Sequence, residues 1–418
     1  MKKKKKKPQG FLILKKGIGR KTRIGITKTL EYMNRFSRFS MGAPLEETFN
    51  FKPPRSFKRA KRFFRRLRHP FVLFLATVFV ILMLGIAWLT NSSIHVENVT
   101  VPVAGLADDL NGYVILLISD LHGRSFGQKQ ATLLRSINNE RFDLAVFAGD
   151  MVGKSGNAQP FYDLIDGMPK SKSLFFIPGD SDPQPILSVA RETEGATLSQ
   201  LVLADWILGA QERGAAYLSC TTQVPVGSSS LWLTPADALC VHMKDVLYAL
   251  EEELAEQTEG ASLGIGADYD GQPLTQYRYN QMDRQIESAK KMNSADLHIA
   301  VSHVAPMDEY LSSAQSISFE DEISLSMPDI VLSGHYCGGG WILPGYGALY
   351  IPNGLLPRHG WFPDQKIVSG VRNSGAVTIC TTAGLSVTDR LYLPKFRLFN
   401  EPAIMRITLV AQLDSSLK

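Results

Sequence analysis

The chain has 418 residues, of which 44% are hydrophobic and 34 are glycine, which excludes a wholly disordered or fibrous protein and exceeds what one ordinary domain needs. Its formal net charge of +5 conceals two opposed parts: residues 1–70 hold 23 Lys and Arg against 3 Glu, a net of +20, and residues 71–418 hold 22 against 37 Asp and Glu, a net of −15. The overall balance therefore says nothing about partners, and each part is read separately.

Six lysines at 2–7 open a basic, weakly patterned stretch. Residues 1–70 are expected to be a largely disordered cytoplasmic tail. Its last part, 57–68 (FKRAKRFFRRLR), interleaves basic residues with Phe57, Phe63 and Phe64. As a helix it would lie on the inner leaflet and attract anionic lipids, at roughly 1 kcal/mol per basic residue. Nucleic acid is not expected as a partner, because a basic run beside a membrane span is explained by lipid contact and orientation.

Residues 71–90 (FVLFLATVFVILMLGIAWLT) carry no charge over 20 positions. At about 1.5 Å rise per residue they cross a hydrocarbon core of roughly 30 Å. Arg65, Arg66 and Arg68 precede the segment and Asn91, Ser92 and Ser93 follow it. This places the N-terminus in the cytoplasm and the C-terminal part outside the cell membrane. Residues 91–111 read as a linker with a first strand, and 112–413 as one folded domain.

That domain alternates apolar runs with helical stretches. Strand-like runs fall at 114–119 (VILLIS), 144–148 (LAVFA), 174–177 (LFFI), 298–302 (HIAVS), 330–333, 376–381 and 404–410. A helical stretch covers 128–139. The pattern predicts an α/β architecture with sheets covered by helices. The acidic segment 237–282 reads as a surface insertion or lid, with a solvated helix as the plainer alternative. Cys220 and Cys240 are near enough in sequence to be bridged outside the cytoplasm, while four free thiols is the equal alternative.

Five of these runs end in residues that bind metals: Asp120 and His122; Asp150; Asp180 and Asp182; His303; and His335 and Cys337. In open α/β sheets the C-terminal strand edge is where ligands bind. Carboxylates and imidazoles together suit Mn, Fe or Zn, and a shared carboxylate suits a two-metal phosphoryl-transfer site. His69, His95, His242 and His298 have no motif context and read as structural.

The order D-x-H, G-D, G-D-S-D, H and G-H-Y-C resembles the D-x-H, G-D, G-N-H-[DE], H, G-H-x-H signature of the calcineurin-like metallophosphoesterases. The segment GHYCGGGWILPGYGALYIPNG is similar to that family's G-H-T-H-G-G-Q hairpin. TTAGL and FRLFNEPAIMRITL look like the closing segment of its membrane-anchored, YkuE-like branch. The resemblance covers roughly residues 95–412. It implies a double β-sheet sandwich flanked by helices (α/β/β/α), preceded by one transmembrane helix. It also implies two divalent metal ions, Zn, Mn or Fe. Asp120, His122, Asp150 and Cys337 would form one site, and Asp150, Asp180, His303 and His335 the other.

Three positions depart from the family pattern: Asp180 stands for Asn, Cys337 for the last His, and Ser181 for the His of G-N-H. The first two raise the anionic ligands from two to four and bring the charge of a two-metal centre near zero, and a thiolate favours softer ions such as Zn. Ser181 removes an acid worth about 10²–10⁴-fold. Arg124 as a phosphate contact and Asp182 as an acid are the candidate replacements; Tyr336 and His359 are candidate pocket residues. The expected function is an outward-facing, metal-dependent phosphoesterase that hydrolyses a phosphate mono- or diester by metal-bound hydroxide, with weakened or altered activity. Its substrate would be a phosphorylated small molecule or lipid. The alternative is a non-catalytic member that binds a phosphorylated lipid, cell-wall precursor or partner protein.

Overall fold

The computed structural model describes residues 70–193, 196–262, 272–293, 295–351, 360–388 and 396–412. The basic tail with its 57–68 segment, His69 and His359 lie outside the described residues.

Helix α1 (Pro70–Ser92) comes first, with proline at its opening position and no charged residue, and is long and apolar enough to cross a membrane. Its side chains are largely exposed, and only Ala87 is buried. Soon after it begins β1 (His95–Val103), followed by β2 (Val114–Ile118), α2 (Ala131–Asn138), β3 (Leu144–Ala148), α3 (Gln159–Gly167) and β4 (Ser173–Ile177). A hairpin of β5 (Ile186–Thr193) and β6 (Ala196–Leu203) leads to α4 (Asp205–Glu212) and β7 (Ala215–Tyr217). Next come β8 (Thr222–Val226), β9 (Ser229–Pro235), α5 (Met243–Ser262), α6 (Gln272–Lys291), β10 (Leu297–Val304), α7 (Asp308–Glu320) and β11 (Ile330–Gly334). Two short pairs follow, β12 (Ile342–Leu343) with β13 (Gly347–Ala348), and β14 (Tyr350–Ile351) with β15 (Gly360–Trp361). The fold ends with β16 (Gly370–Ser374), β17 (Val377–Thr381) and β18 (Ala403–Ala411).

Two six-stranded sheets form the body, in the orders β1-β18-β2-β3-β4-β7 and β16-β17-β11-β10-β9-β8. Both are mixed: β2, β3, β4 and β7 run parallel while β18 opposes β2, and β9, β10, β11 and β17 run parallel between antiparallel edges.

Side-chain alternation explains why the runs are wholly apolar. On β2, Val114, Leu116 and Ile118 face the helices, and Ile115 and Leu117 face the other sheet. On β3, Ala145 and Phe147 face out, and Leu144, Val146 and Ala148 face in. The second sheet repeats this: Ile330 and Leu332 face in, and Val331 packs under its own helices. A strand buried on both faces has no place for the polar half of a period-two pattern. Three apolar layers result, so the order is helices, sheet, sheet, helices. The α/β class and the helix-covered sheets read from the sequence are those of the structure, and the sheets are mixed.

The segment read as an insertion or lid belongs to the outer layer. Glu251, Glu252, Glu253 and Glu256 are exposed or half-exposed on α5, while Met243 and Leu250 are buried. Helix α6 buries Ile286, and its Gln285 carboxamide oxygen accepts from the Thr221 N–H at 2.9 Å. The acidic run is thus the solvated face of a helix anchored in the core. All four cysteines are free, and the Cys240 thiol donates to the Tyr310 carbonyl at 3.4 Å.

Candidate metal centre

Each predicted ligand follows or sits in an inner strand of one of the two facing sheets. Asp120 and His122 follow β2, Asp150 follows β3, Asp180 follows β4, His303 lies in β10 and His335 and Cys337 follow β11. A register shift in β10 between Val301 and Val304 re-aims His303. Asp120, His122, Asp150, His335 and Cys337 all have φ between +50° and +75°. That conformation costs a non-glycine residue about 1–2 kcal/mol. Strain carried by five of seven candidate ligands marks chain turned sharply at each strand end to point side chains at one place.

The side chains converge in two groups. Asp150, Asp180, His303 and His335 bring one donor atom each to within 4.8 Å of one another, as do Asp120, His122 and Cys337. In the first, His303 Nε2 lies 3.3 Å from Asp150 Oδ2, 3.4 Å from Asp180 Oδ1 and 3.1 Å from His335 Nδ1. Asp150 Oδ2 also lies 3.6 Å from His122 Nε2, so this carboxylate stands between the groups. His303 Nδ1 donates to the Ala148 carbonyl at 2.8 Å, which fixes the ring and turns Nε2 into the cluster. Asp150 Oδ1 accepts from the Ser181 N–H at 2.8 Å.

A metal fits this arrangement. Asp120 is fully buried, yet its Oδ1 has no hydrogen-bond partner. An orphaned carboxylate oxygen carries a desolvation penalty of about 1–3 kcal/mol or more. Carboxylate, imidazole and thiol donors in this number suit divalent transition metals.

Without metal, protons occupy the place of the cations. Burial pulls His303 down, but Asp150 and Asp180 outweigh it and hold its pKa well above the ordinary value. Burial also raises Asp150 and Asp180, and the neighbouring imidazoles reverse this and leave both carboxyls below their usual range. The Cys337 thiol is pushed well up by burial and then by Asp120. It is therefore neutral until a metal binds, so the fourth anion of the sequence-based count arises only on coordination.

A pH dependence follows. His303 and Cys337 must both lose protons to bind metal, so affinity rises with pH. Calorimetry between pH 6 and 8 in buffers of different ionisation enthalpy is expected to find about one proton or more released; no release would refute the coupling. The same groups set the stability of the metal-free chain. Both folded pKa values are raised, so His303 stabilises fully below its ordinary value near 6.5 and Cys337 below its own near 9. Each contribution is lost as pH climbs toward the raised value.

The remaining sequence candidates do other things. Asp182 accepts backbone N–H bonds from Met151 at 3.3 Å and from Val152, Gly153 and Gly179 at 2.8 Å. Burial and the charge of Asp150 raise its pKa. Both oxygens are nonetheless committed to tying the β3 and β4 loops together, away from the proton donation read from sequence. Arg124 stacks 4.5 Å from the Phe126 ring centroid and reaches the Asn91 side chain and carbonyl at 3.4 Å each. Its contacts are to the end of α1, not to the cluster. Ser181 is at the cluster, with its hydroxyl 3.5 Å from Asp180 Oδ1. Tyr336 packs into the core outside the second sheet rather than lining a pocket, and its buried hydroxyl has no hydrogen-bond partner. His298 is structural: burial lowers it to about 4, and its Nε2 meets the Thr234 hydroxyl at 2.8 Å.

Sequence reasoning missed the residues that support the ligands. Ser119 donates its hydroxyl to Asp120 Oδ2, which also accepts from the His335 N–H at 3.0 Å. Gly384, at φ +69°, packs so closely that a Cβ would sit 2.6 Å from Asp120 Oδ2. Gly179 has the same necessity: a Cβ there would lie 2.1 Å from Asp150 Oδ1. Arg397 is fully buried and donates to the carbonyls of Ala383, Gly384, Ser386 and Asn400 and to Asn400 Oδ1. Asn400 in turn donates to the carbonyls of Cys337, Gly338 and Gly340. The signal was a lone arginine inside the otherwise apolar stretch FRLF.

Fold and site together define an α/β protein with a metal-ligand cluster built on its strand ends. The model of the calcineurin-like phosphoesterase family matches residues 113–338, more than half of the chain, and the chain belongs to that family. The family typically binds two divalent metals, and membership points to metal-dependent phosphoester hydrolysis. No curated protein matches the chain in sequence. Among solved structures it is similar to a phosphopantetheinyl hydrolase from Mycobacterium tuberculosis. The two are 11% identical, over 65% of this chain and 88% of that one, with a TM-score of 0.29. At that distance the likeness carries no functional argument.

Proposed function

We propose that this chain is a membrane-anchored, outward-facing phosphoesterase that uses two divalent metals to hydrolyse a phosphate monoester or diester. The observation that carries the reading is Asp150 Oδ2, 3.3 Å from His303 of one ligand group and 3.6 Å from His122 of the other. Metals held by Asp120, His122, Asp150, Cys337, Asp180, His303 and His335 would supply Lewis acidity and an activated water. The rest falls to the chain. The Ser181 N–H sets the Asp150 carboxylate, the Ala148 carbonyl orients His303, and Ser119 holds Asp120. The Cys337 thiol favours Zn over Mn.

Anchoring rests on α1, orientation on the excess of Lys and Arg before it, and lipid contact on the basic tail. The substrate we favour is a phosphorylated small molecule or lipid, with no role for nucleic acid. We place the chain in the membrane-anchored, YkuE-like branch, supported by the apolar helix before β1 and the closing segment that carries Gly384, Arg397 and Asn400. The organisation we propose is a tail at 1–70, a span at 71–90, a linker and first strand at 91–111, and the phosphoesterase domain at 112–413.

One observation favours a second reading, a non-catalytic binding or sensor module. Among the described residues His122, His303 and His335 are the cluster's imidazoles, each a ligand candidate, and Ser181 offers no acid in their stead. The test is metal-stripped full chain in nanodiscs, reloaded with Zn, Mn or Fe and assayed on p-nitrophenyl phosphate and bis-p-nitrophenyl phosphate. Metal-dependent turnover is expected, and Ser181→His should raise it by about 10²-fold. Metal bound without turnover in both chains would overturn the hydrolase in favour of the binding module.

A further inference from the structure

The end of α1 is bound into the rim of the metal centre. Asn91 Nδ2 donates to the Arg397 carbonyl at 2.8 Å, and Asn91 Oδ1 accepts from the Arg397 N–H at 3.2 Å. Thr90 reaches the same carbonyl at 3.3 Å, and Arg124, two residues after His122, holds Asn91 from the other side. Arg397 is the residue whose side chain, with Asn400, braces the Cys337 loop. The point where the apolar helix ends is thus joined to the Cys337 loop through the side chains of Arg397 and Asn400.

Beside it lies an exposed aromatic patch. Segment 396–400 is bridged to the first short hairpin: Trp341 stacks on Phe396 with centroids 5.7 Å apart, and the Ile342 N–H donates to the Leu398 carbonyl at 2.9 Å. The second short hairpin joins it through Tyr346 against Phe362 at 5.7 Å, and within that hairpin Tyr350 meets Trp361 at 5.4 Å. Leu343, Tyr346, Trp361, Phe362 and Phe399 of this unit are exposed, Trp361 by 55% and Phe362 by 59%. Phe362 and Phe399 also hold left-handed backbone, at φ +59° and +52°. Bulky aromatics are poor choices for that conformation, and both side chains are left exposed there. Contiguous exposed apolar patches mark interaction surfaces, and Tyr and Trp gather at the membrane–water interface.

We propose that these five residues form a membrane seat: they lie in the headgroup layer of the outer leaflet and hold the metal centre against the bilayer surface. The proposal rests on α1 spanning the membrane. A helix bound at its last turn to the segment carrying Phe399 brings the patch to the bilayer as soon as the helix is inserted. A phosphate ester carried in the leaflet then reaches the site without leaving the membrane surface.

The test is nitroxide labelling of the full chain in phosphatidylethanolamine and phosphatidylglycerol vesicles, one introduced cysteine at a time on a Cys220→Ser background, the other three native thiols being buried. Labels replace Leu343 and Trp361, with Phe79 in the helix and Phe319, 82% exposed on α7, as references. Collision with oxygen is compared with collision with a water-soluble nickel chelate. Labels at 343 and 361 are expected to favour oxygen over nickel severalfold, between the lipid-like 79 and the water-like 319. A lipid-like 79 with water-like 343 and 361 would overturn the seat alone. A water-like 79 would overturn the span, and the seat with it. Labels at 343 and 361 shielded from both reagents, and freed on dilution with excess lipid, would assign the patch to a second copy instead.

Discussion

Asp150→Asn is expected to lower metal-dependent turnover by roughly 10³-fold, beyond the ~10–100-fold typical of residues that only support a ligand. The substitution preserves shape, and Oδ1 can still accept the Ser181 N–H. What it removes is the anion between His122 and His303, so both ligand groups lose a donor in one change. Metal analysis alongside kinetics separates two routes to the loss, since a ligand fault lowers bound metal and an orientation fault does not. Asp150 is the largest of the influences that raise His303, so the pKa of that imidazole falls and metal-free stability loses part of its alkaline decline. Unchanged turnover at full metal occupancy would remove Asp150 from the centre.

Arg397→Met should destabilise the chain by about 3–5 kcal/mol, the range for breaking a buried charged network. Methionine fills similar volume but leaves the carbonyls of Ala383, Gly384, Ser386 and Asn400 without their donor. Burial already draws this guanidinium down to about 10, with Cys337 and Asp120 opposing the fall. It stays charged at neutral pH and offsets part of the anionic cluster. Arg397→Lys keeps the charge but cannot fork to these acceptors, so its loss should be intermediate. Denaturant unfolding of the solubilised chain measures both, and a cost below about 1 kcal/mol for the methionine variant would contradict the network's role.

The candidate metal ligands were legible because each lies at or just after a short apolar run bounded by turn residues, the pattern of a strand buried on both faces. Once strands are assigned, Asp120, Asp150 and Asp180 fall at strand ends of one sheet and His303 and His335 at strand ends of the other, and the facing of the two sheets brings them together. Long-range support was not legible. Nothing local to Arg397 says that its side chain braces a loop far earlier in the chain, and nothing at Gly384 says that Asp120 leaves no room for a Cβ. Asp182 shows another limit: its place in G-D-S-D invites a chemical role, and only the fold shows that its carboxylate also accepts from four backbone N–H groups. The β5–β6 hairpin was missed because two strands outside the main sheets carry no buried-run signal.

The first sheet also bears on how the chain is made. β18 lies between β1 and β2, and its nine pairs with β1 join His95 to Ala403 and Val103 to Ala411. A nascent chain that has released β1 through β17 still has a gap in the middle of that sheet. The β1 and β2 edges stay unpaired until the final strand arrives, a non-local closure that is intrinsically slow. Synthesis must therefore be complete before the domain can close, and a chain that loses only its closing strand keeps every candidate metal ligand while exposing two apolar strand edges prone to aggregation.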